Sequence, residues 1–317
     1  MRLGADRARV RVPATSANLG PGFDALGLAL ALHDEVEVRA LGSADVVVDV
    51  VGEGADEVPS GDDHLVVRAL RHALDHVGAP QTGLHLTCRN RIPHGRGLGS
   101  SAGAVVAGLL AARSLVAEPE ALDDDVVLRL ATELEGHPDN AAPALLGGAT
   151  VAWSEGGDAV RAARLAVHAD VAPVAVVPSS RLATSHARGV LPDRVPHGDA
   201  AFQAGRAALL VEALGRRPDL LLPATEDRLH QGYRRPVMAE SLALVDALRA
   251  RGVAAVVSGA GPTVLVLARA VGAAAPDGSR PTDADEALRQ VFGGAMGGWR
   301  IAPLAIDTTG ATTQILP

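Results

Sequence analysis

One stretch constrains the chain more than any other: a glycine-rich loop that runs directly into an apolar helix. It reads Pro93-His94-Gly95-Arg96-Gly97-Leu98-Gly99-Ser100-Ser101 and continues through small apolar residues. Glycines at alternate positions allow positive φ and let a ligand approach the backbone without a Cβ in the way. A helix that begins near Ser100 presents free N–H groups and the positive end of its dipole, which together favour an anion such as phosphate. A tight turn followed by an ordinary helix cap explains the same residues, so at this point both interpretations stand.

The chain contains no lysine, and all 29 basic residues are arginines. A P-loop requires a lysine after its glycines and a Schiff-base enzyme requires a lysine amine, so both kinds of site are excluded. The glycines do not follow the G-x-G-x-x-G pattern of dinucleotide-binding folds, and neither a Cys/His cluster nor a G-x-S-x-G turn is present. Backbone amides, arginine and a metal ion remain as the groups that can bind phosphate.

Composition and charge indicate a soluble globular protein with two domains. The 317 residues are enough to bury a large core. The net charge of −8, with scattered acidic residues, argues against nucleic acid or an anionic membrane surface as a partner. No apolar run is long enough to span a bilayer, the first residues do not resemble a signal peptide, and Cys88 is the single cysteine. We therefore expect a cytoplasmic protein without an internal disulfide.

Hydrophobic periodicity predicts strands and helices that alternate irregularly, which is typical of an α+β fold in two lobes. The predicted strands are residues 8–13, 26–38, 46–51, 84–87, 149–153, 161–168, 171–177, 253–257, 264–267 and 299–306. The predicted helices are residues 65–77, a helix that begins near residue 100, and residues 126–134, 200–214, 237–251 and 286–291. We place the first lobe at residues 1–165 and the second at residues 166–317.

Other segments carry polar groups suited to a small-molecule site. Residues 13–24 form a long turn that contains Asn18 and Asp24, although a plain surface loop explains the same composition. Glu133 and Glu135 lie about 200° apart on a helix, so one of them points inward, next to the turn of residues 136–140. A carboxylate there can hold Mg²⁺, with a purely structural role as the alternative. Residues 258–263 form a second glycine loop.

Taken together, these segments resemble the motifs of the GHMP kinases, which phosphorylate galactose, homoserine, mevalonate or phosphomevalonate. The glycine loop with Ser100 and Ser101 is similar to the phosphate-binding motif of the family, and residues 258–263 resemble its third motif. Residues 12–24 are similar to the first motif as it occurs in the members that act on homoserine. The likeness also covers residues 135–140, 184–188 and 230–234. It therefore extends over nearly the whole chain, in the right order.

The resemblance implies a first lobe like domain 2 of ribosomal protein S5 and a ferredoxin-like second lobe, with ATP and Mg²⁺ in the cleft between them. It implies transfer of the γ-phosphoryl group of ATP to the side-chain hydroxyl of L-homoserine, a step of threonine biosynthesis, and it leads us to expect a homodimer. The implied nucleotide-binding residues are Pro93, His94, Gly95, Arg96, Gly97, Leu98, Gly99, Ser100, Ser101, Ala102 and Gly103, with Asp63 and His64 near the adenine. His64 stands where we expect asparagine. Ser100 or Ser101, together with Glu135, is implied to hold Mg²⁺.

The same resemblance, weighed against the chemistry of the acceptor, implies the substrate site. Homoserine carries a carboxylate, an ammonium group and a hydroxyl, and forked guanidinium groups suit the carboxylate best. The predicted substrate-binding residues are Asn18, Asp24, Asn140, Thr184, Arg188, Arg234 and Gly261. The predicted catalytic residues are Asn140, Glu135, Ser100 and Thr184.

Asn140 matches the position that is similar, in galactokinase and mevalonate kinase, to an aspartate that acts as the catalytic base. An amide does not accept a proton near pH 7. We therefore expect catalysis by positioning and charge stabilisation, with Asp139 as the rival base. Two alternatives stay open at this point. One is a kinase of another small alcohol such as mevalonate, and the other is a non-catalytic sensor built on the same scaffold.

Overall fold

The computed structural model describes residues 1–156, 159–272, 280–294 and 297–317, and these form two sheets flanked by helices. The first part of the chain contains β1 (Arg7–Ala17), β2 (Leu26–Leu41), β3 (Val46–Gly52), α1 (Leu65–His76), β4 (Gly83–Asn90), α2 (Ser100–Leu115), α3 (Asp124–Glu135), α4 (Ala141–Leu146), β5 (Ala149–Ser154) and β6 (Val160–Leu165). The second part contains β7 (Val171–Pro178), α5 (Thr184–Gly189), α6 (His197–Gly215), α7 (Leu221–Ala224), α8 (Ala239–Arg249), β8 (Ala255–Val257), β9 (Val264–Arg269), α9 (Asp285–Phe292), β10 (Trp299–Pro303) and β11 (Thr312–Ile315). Short 3₁₀ turns span Pro119–Leu122, Pro218–Leu220 and Gly232–Val237.

The first sheet has the strand order β11-β1-β2-β4-β3, and β5 and β6 extend it beside the start of β2. Strand β2 is long enough to pair with β1 along its length, with β5 near its first residues and with β4 near its last. The register between β1 and β2 shifts between Pro13 and Ala14, because proline has no N–H to donate to the ladder. Beyond this shift, residues 14–17 stay paired with β2, and the chain leaves the sheet only after Ala17, at residues 18–25.

Helix α2 is the central helix of the first lobe. Its residues are buried around most of its circumference, because it lies between the sheet and helices α1 and α3. Gly108 permits the close approach of α1, since an added Cβ there would overlap the backbone oxygen of Val66. The prediction that this helix begins near residue 100 is confirmed, and its buried sides hold its first turn in a fixed position.

The second sheet has the order β10-β7-β9-β8, with every pair antiparallel. Helices separate its first from its second strand and its third from its fourth, which is the ferredoxin-like arrangement that we expected. Alternate residues of β9 point to opposite sides: Leu265 and Leu267 face the first lobe, whereas Val264 and Val266 face α8 and α9. The sheet is therefore a buried middle layer with a hydrophobic core on each face.

The two lobes share one of these cores. Leu28 and Leu30 of β2 pack with Ala175 of β7 and Leu210 of α6. Because this interface is continuous and apolar, the loops at the edge between the lobes are held by both. Within the described residues, no helix has both the length and the apolar character needed to cross a membrane.

The end of the chain departs from the predicted elements. The predicted strand at residues 299–306 ends at Pro303, and a further strand, β11, was not predicted. This strand leaves the second lobe and pairs with β1 in the first sheet, although we had assigned all of residues 166–317 to the second lobe. Its four residues are exposed and show no apolar alternation, so only the free edge of β1 makes them a strand.

Candidate active site

A cavity of about 270 Å³ lies where the loops of both lobes meet. The glycine loop of residues 93–99 forms one wall, and the first turn of α2 closes one end. Residues of the turn after α3 and of α5 lie opposite, and Gly259 and Ala260 contribute from the second glycine loop. A second cavity of about 290 Å³ adjoins the first and shares Gly95, Ser100 and Ser101 with it. The site is therefore bipartite, and the start of α2 lies at the junction.

The glycine loop is held in place by backbone contacts from three directions. Thr15 N–H donates to Leu98 O at 3.0 Å, and Leu182 N–H donates to Gly95 O at 2.9 Å. The Ser258 hydroxyl donates to Gly97 O at 2.5 Å. An added Cβ on Gly97 would overlap the backbone oxygen of Ser258, so the second glycine loop can approach only a glycine here. The loop therefore reaches the cavity with a preset shape.

The first turn of α2 has no side-chain cap. Gly99 precedes it with φ of 72°, in the left-handed region, and offers no side chain to the free N–H groups. These groups and the dipole of a 16-residue helix point at the cavity, an arrangement that suits an anion. Arg96 does not add a cation there, because its guanidinium donates to Pro178 O and Ser179 O of the second lobe.

Ser101 and Glu135 meet at the mouth of the cavity. The Ser101 hydroxyl donates to Glu135 Oε1 at 2.6 Å. Glu133, two residues earlier on α3, points away from the cavity and pairs with Arg129 and His72. Glu135 is therefore the inward-facing carboxylate of the two. A hydroxyl and a carboxylate are hard oxygen donors of the kind that suits Mg²⁺, although no cluster of three or more acidic, histidine or cysteine side chains suited to a metal occurs among the described residues.

The second cavity is mostly apolar and contains one unsatisfied polar atom. Val12, Val36, Val58 and Ala104 contribute to its lining, and His64 is 5% exposed at its edge. His64 Nδ1 is buried and has no hydrogen-bond partner within the described residues. Burial lowers the pKa of His64, with a smaller contribution from the charge of His94, so the ring is neutral. A neutral ring with an unpaired nitrogen beside a flat apolar space is suited to a heteroaromatic ligand.

At the other end of the first cavity, Asp24 and Arg188 form a two-pronged ion pair. Arg188 Nη2 lies 2.6 Å from Asp24 Oδ1, and Nη1 lies 3.1 Å from Oδ2. Burial acts to lower the pKa of Arg188, but the hydrogen bond and charge of Asp24 outweigh it and raise that pKa. The amide of Asn18 bridges the neighbouring loops, because it accepts from Asp24 N–H and donates to Gly259 O.

Arg234 is 1% exposed and lines the same end of the cavity. It donates to Ala187 O, to Gly259 O and to His230 Nδ1, and none of its hydrogen bonds within the described residues goes to a carboxylate. Arginine only donates, so His230 accepts at Nδ1 and donates from Nε2 to Gly20 O, which makes this buried imidazole neutral. Burial lowers the pKa of His230 in agreement with that tautomer. A buried guanidinium without a carboxylate partner is suited to an anionic ligand.

The turn after α3 brings two further polar contacts to the cavity. Thr15 Oγ1 donates to Asn140 Oδ1 at 2.8 Å. Asp139 is only 2% exposed, and its Oδ1 lies 2.7 Å from His137 Nδ1. The hydrogen bond to Asp139 is the main reason why the pKa of His137 is raised, and burial opposes it. Of the two side chains in this pair, that of His137 is the more exposed and the Asp139 carboxylate is the buried one.

Nearly all the predicted site residues line one of the two cavities. Those on the first are Asn18, Pro93, Gly95, Arg96, Gly97, Leu98, Gly99, Ser100, Ser101, Ala102, Glu135, Asn140, Thr184, Arg188 and Arg234. Those on the second are Asp63, His64, His94, Gly95, Ser100, Ser101 and Gly103. Asp24 lines neither cavity and reaches the first through Arg188. Gly261 lies behind Gly97, and its neighbours Gly259 and Ala260 face the cavity instead.

Sequence reasoning did not single out Phe23, His137 or His230. The Phe23 ring stacks on His230 with centroids 5.1 Å apart, and the guanidinium carbons of Arg188 and Arg234 lie 5.6 and 5.8 Å from its centroid. An aromatic residue inside a turn of small and polar residues was an available signal. The hydrogen bond between His230 and Gly20 leaves no signal in the sequence, since 210 residues separate the two.

Comparison with known proteins agrees with this geometry. Residues 64–148 match the sequence model of the GHMP kinases N terminal domain, and residues 200–294 match that of the GHMP kinases C terminal domain. The chain is 54% identical over 311 residues to homoserine kinase of Streptomyces avermitilis, which covers 98% of this chain and 95% of that protein. It is 50% identical over 310 residues to homoserine kinase of Clavibacter michiganensis subsp. michiganensis, with 98% and 95% covered. The crystal structure of homoserine kinase from Cytophaga hutchinsonii superposes with a TM-score of 0.79 at 24% identity, over 98% of each chain, and so has the same fold. The chain belongs to the GHMP kinase family.

Proposed function

We propose that the protein transfers the γ-phosphoryl group of ATP to the side-chain hydroxyl of L-homoserine and releases O-phospho-L-homoserine, a step of threonine biosynthesis. One observation carries the proposal. A single cavity has an uncapped helix N-terminus at one end and, at the other, Arg234 and Arg188, the latter paired with Asp24. The first suits a polyphosphate, and the second suits an acceptor with both a carboxylate and an ammonium group. The similarity to homoserine kinases over nearly the whole chain supports the same assignment.

ATP is proposed to bind across both cavities. The backbone N–H groups of residues 95–101 would bind the phosphates, as expected where lysine is absent. The adenine would occupy the apolar second cavity, between Asp63, His64 and His94. His64 replaces the asparagine that we expected, and its unpaired Nδ1 supports a hydrogen bond to the base.

Mg²⁺ is proposed to bind beside the phosphates. Glu135, with Ser100 or Ser101, would hold it, and the contact between Ser101 and Glu135 supports this donor set. One carboxylate is sufficient for Mg²⁺ when phosphate oxygens and water complete its coordination. Bound there, the ion would neutralise charge on the phosphates.

The acceptor is proposed to lie between α5 and the turn of residues 18–24. Arg188 and Arg234 would bind the α-carboxylate, Asp24 the α-ammonium group, and Thr184 and Asn140 would orient the hydroxyl towards the phosphates. Asn18 supports this end by fixing the backbone of Asp24, and Gly261 by packing behind the glycine loop.

We infer that no side-chain base is required. Asn140 cannot accept a proton near pH 7, and Asp139 is buried and already bonded to His137. Phosphoryl transfer is accelerated mainly by alignment and charge stabilisation, so the proton of the hydroxyl can pass to the transferred phosphate itself. In this mechanism Asn140, Thr184, Ser100 and Glu135 align the acceptor and the nucleotide.

A coupled ADP-release assay tests the function, with homoserine, threonine, mevalonate and galactose offered as acceptors. We expect turnover with homoserine alone and a product with one phosphate ester by ³¹P NMR. Turnover with mevalonate instead would favour the alternative of another small alcohol. No turnover with any acceptor, together with measurable ATP binding, would favour a sensor.

The remaining expectations concern the surroundings of the enzyme. The net charge of −8 supports a protein without nucleic-acid or anionic-membrane partners. We also propose a cytoplasmic location and a homodimer, which rest on the single cysteine and on the family resemblance respectively.

A further inference from the structure

The two side chains proposed to bind opposite charges of the acceptor bind each other in this structure. Asp24 and Arg188 meet with oxygen–nitrogen distances of 2.6 and 3.1 Å, and each side chain is 35% exposed. The pair joins the turn after β1 to α5, across 164 residues of chain. A pair as exposed as this one is weak enough for a ligand to open.

Each partner also has a support of its own. The backbone of Asp24 lies at φ of 55° and donates its N–H to Asn18 Oδ1, so the position of its main chain does not depend on Arg188. The guanidinium of Arg188 lies over the ring of Phe23. The main chain of Asp24 and the guanidinium of Arg188 therefore each keep one contact when the pair opens.

An α-amino acid carries a carboxylate and an ammonium group on the same carbon. Inserted between Asp24 and Arg188, it provides each of them with a new partner and leaves no charge unpaired. A hydroxy acid without the ammonium group provides a partner for Arg188 only, and Asp24 is then left unpaired in a half-buried place.

From this balance we infer that the Asp24–Arg188 ion pair is a placeholder that only a zwitterion displaces at low cost. The pair thereby selects α-amino acids over hydroxy acids that lack the ammonium group. The inference rests on the proposed function, because it concerns the acceptor end of the same site. It adds that Asp24 acts against the wrong acceptor as well as for the right one.

The test compares homoserine with 4-hydroxybutyrate, which has the same chain and hydroxyl but no ammonium group. In Asp24→Asn, we expect kcat/KM for homoserine to fall about 10- to 100-fold, because a charge-assisted bond is lost. The kcat/KM for 4-hydroxybutyrate should instead rise, since Arg188 is released and no charge is left unpaired. Asparagine accepts positive φ, so the backbone of the turn is preserved.

Asp219→Asn is the matched control, because it removes an exposed aspartate that is also paired with arginine, at Arg217. This variant should leave kcat/KM unchanged for both acceptors. If kcat/KM instead falls in parallel for both acceptors in Asp24→Asn, with ATP affinity and melting temperature intact, the inference is overturned and the proposed function stays in place. Absence of homoserine turnover in the unaltered enzyme would overturn the proposed function instead.

A second measurement needs no variant. L-2-Aminobutyrate is a zwitterion without the hydroxyl, and butyrate is its counterpart without the ammonium group. We expect 2-aminobutyrate to compete with homoserine and butyrate to compete about 10- to 100-fold less well, because butyrate lacks the charge-assisted bond to Asp24 and leaves that carboxylate unpaired. Equal competition by the two compounds would contradict the placeholder role.

Discussion

Gly99 offers the sharpest test of how the glycine loop positions the reaction. It precedes α2 with φ of 72°, and an added Cβ would overlap Thr15 Oγ1 and lie 3.1 Å from Asn140 Oδ1. Those two atoms are joined by a hydrogen bond of 2.8 Å. Gly99→Ala therefore strains the loop and, at the same time, separates Thr15 from the residue proposed to orient the hydroxyl.

The expected magnitude has two parts. An L-residue in the left-handed region costs about 1–2 kcal/mol, and a lost neutral hydrogen bond costs about 1 kcal/mol. The sum of about 2–3 kcal/mol corresponds to a loss of about 30- to 150-fold in kcat/KM if the site carries all of it. We expect most of the loss in kcat, because the displaced Asn140 is the residue proposed to orient the hydroxyl.

The assay is steady-state kinetics with homoserine and ATP, together with thermal unfolding. Gly78→Ala is the matched control, because Gly78 also has positive φ, at 62°, but no atom lies within 4 Å of its added Cβ. That variant should lose about 1–2 kcal/mol of stability from strain and keep its activity. Removing the clashing hydroxyl with Thr15→Ala in the Gly99→Ala background should make the two effects less than additive.

The reasoning would be refuted if Gly99→Ala kept kcat/KM within a factor of about three while its melting temperature fell as in Gly78→Ala. The Thr15–Asn140 contact would then be structural only. Strict additivity of Gly99→Ala and Thr15→Ala would likewise exclude the clash as the cause.

Four further predictions test other parts of the site. Arg188→Ala and Arg234→Ala should each weaken homoserine binding by about 2–4 kcal/mol with ATP affinity nearly unchanged. Only Arg234→Ala should also lower the melting temperature clearly. If calorimetry shows an equal loss of ATP affinity, the arginines belong to the nucleotide site. His64→Asn should keep ATP affinity within a few-fold, whereas His64→Leu should weaken it by about 1–2 kcal/mol. Equal ATP affinities of these two variants would exclude a hydrogen bond from residue 64 to the base. Asp139→Asn should lower kcat by less than about a thousandfold, and a larger drop with homoserine binding intact would identify Asp139 as part of a base. Asp139 raises the pKa of His137. The stability contributed by this pair is therefore complete below the unfolded pKa of histidine, about 6.5, and is lost as pH rises through the folded pKa. The difference in melting temperature between the unaltered protein and Asp139→Asn should accordingly narrow with increasing pH.

Local patterns predicted the elements well where one face or both faces are buried. The helix from Ser100 and the strands around Val171–Pro178 and Val264–Arg269 follow from continuous runs of small or apolar residues. The predicted helix at residues 126–134 is also observed, within α3, and Asp123 caps its start by accepting from Val126 N–H. Strand β11 was missed because its residues carry no pattern of their own.

The site was less readable than the fold. The motifs indicated which turns carry the chemistry, but they did not reveal that Asp24 pairs with Arg188 or that Asp139 is buried behind His137. Nor did they indicate that the Arg96 guanidinium donates to carbonyl groups of the second lobe. These facts depend on distances between side chains that are far apart in the chain.

By itself, the sequence limited how an anion can be bound here: without lysine, only backbone N–H groups, arginine and a metal ion remain. It also determined the α+β class, because apolar periodicity is a local property. Only the tertiary structure decided which loops meet and which charges face one another. The shared core brings β2, β7 and α6 together, and the turns at their ends are then carried into contact. The physical reason is that an ion pair such as Asp24–Arg188 forms only when packing elsewhere has already determined the positions of both backbones.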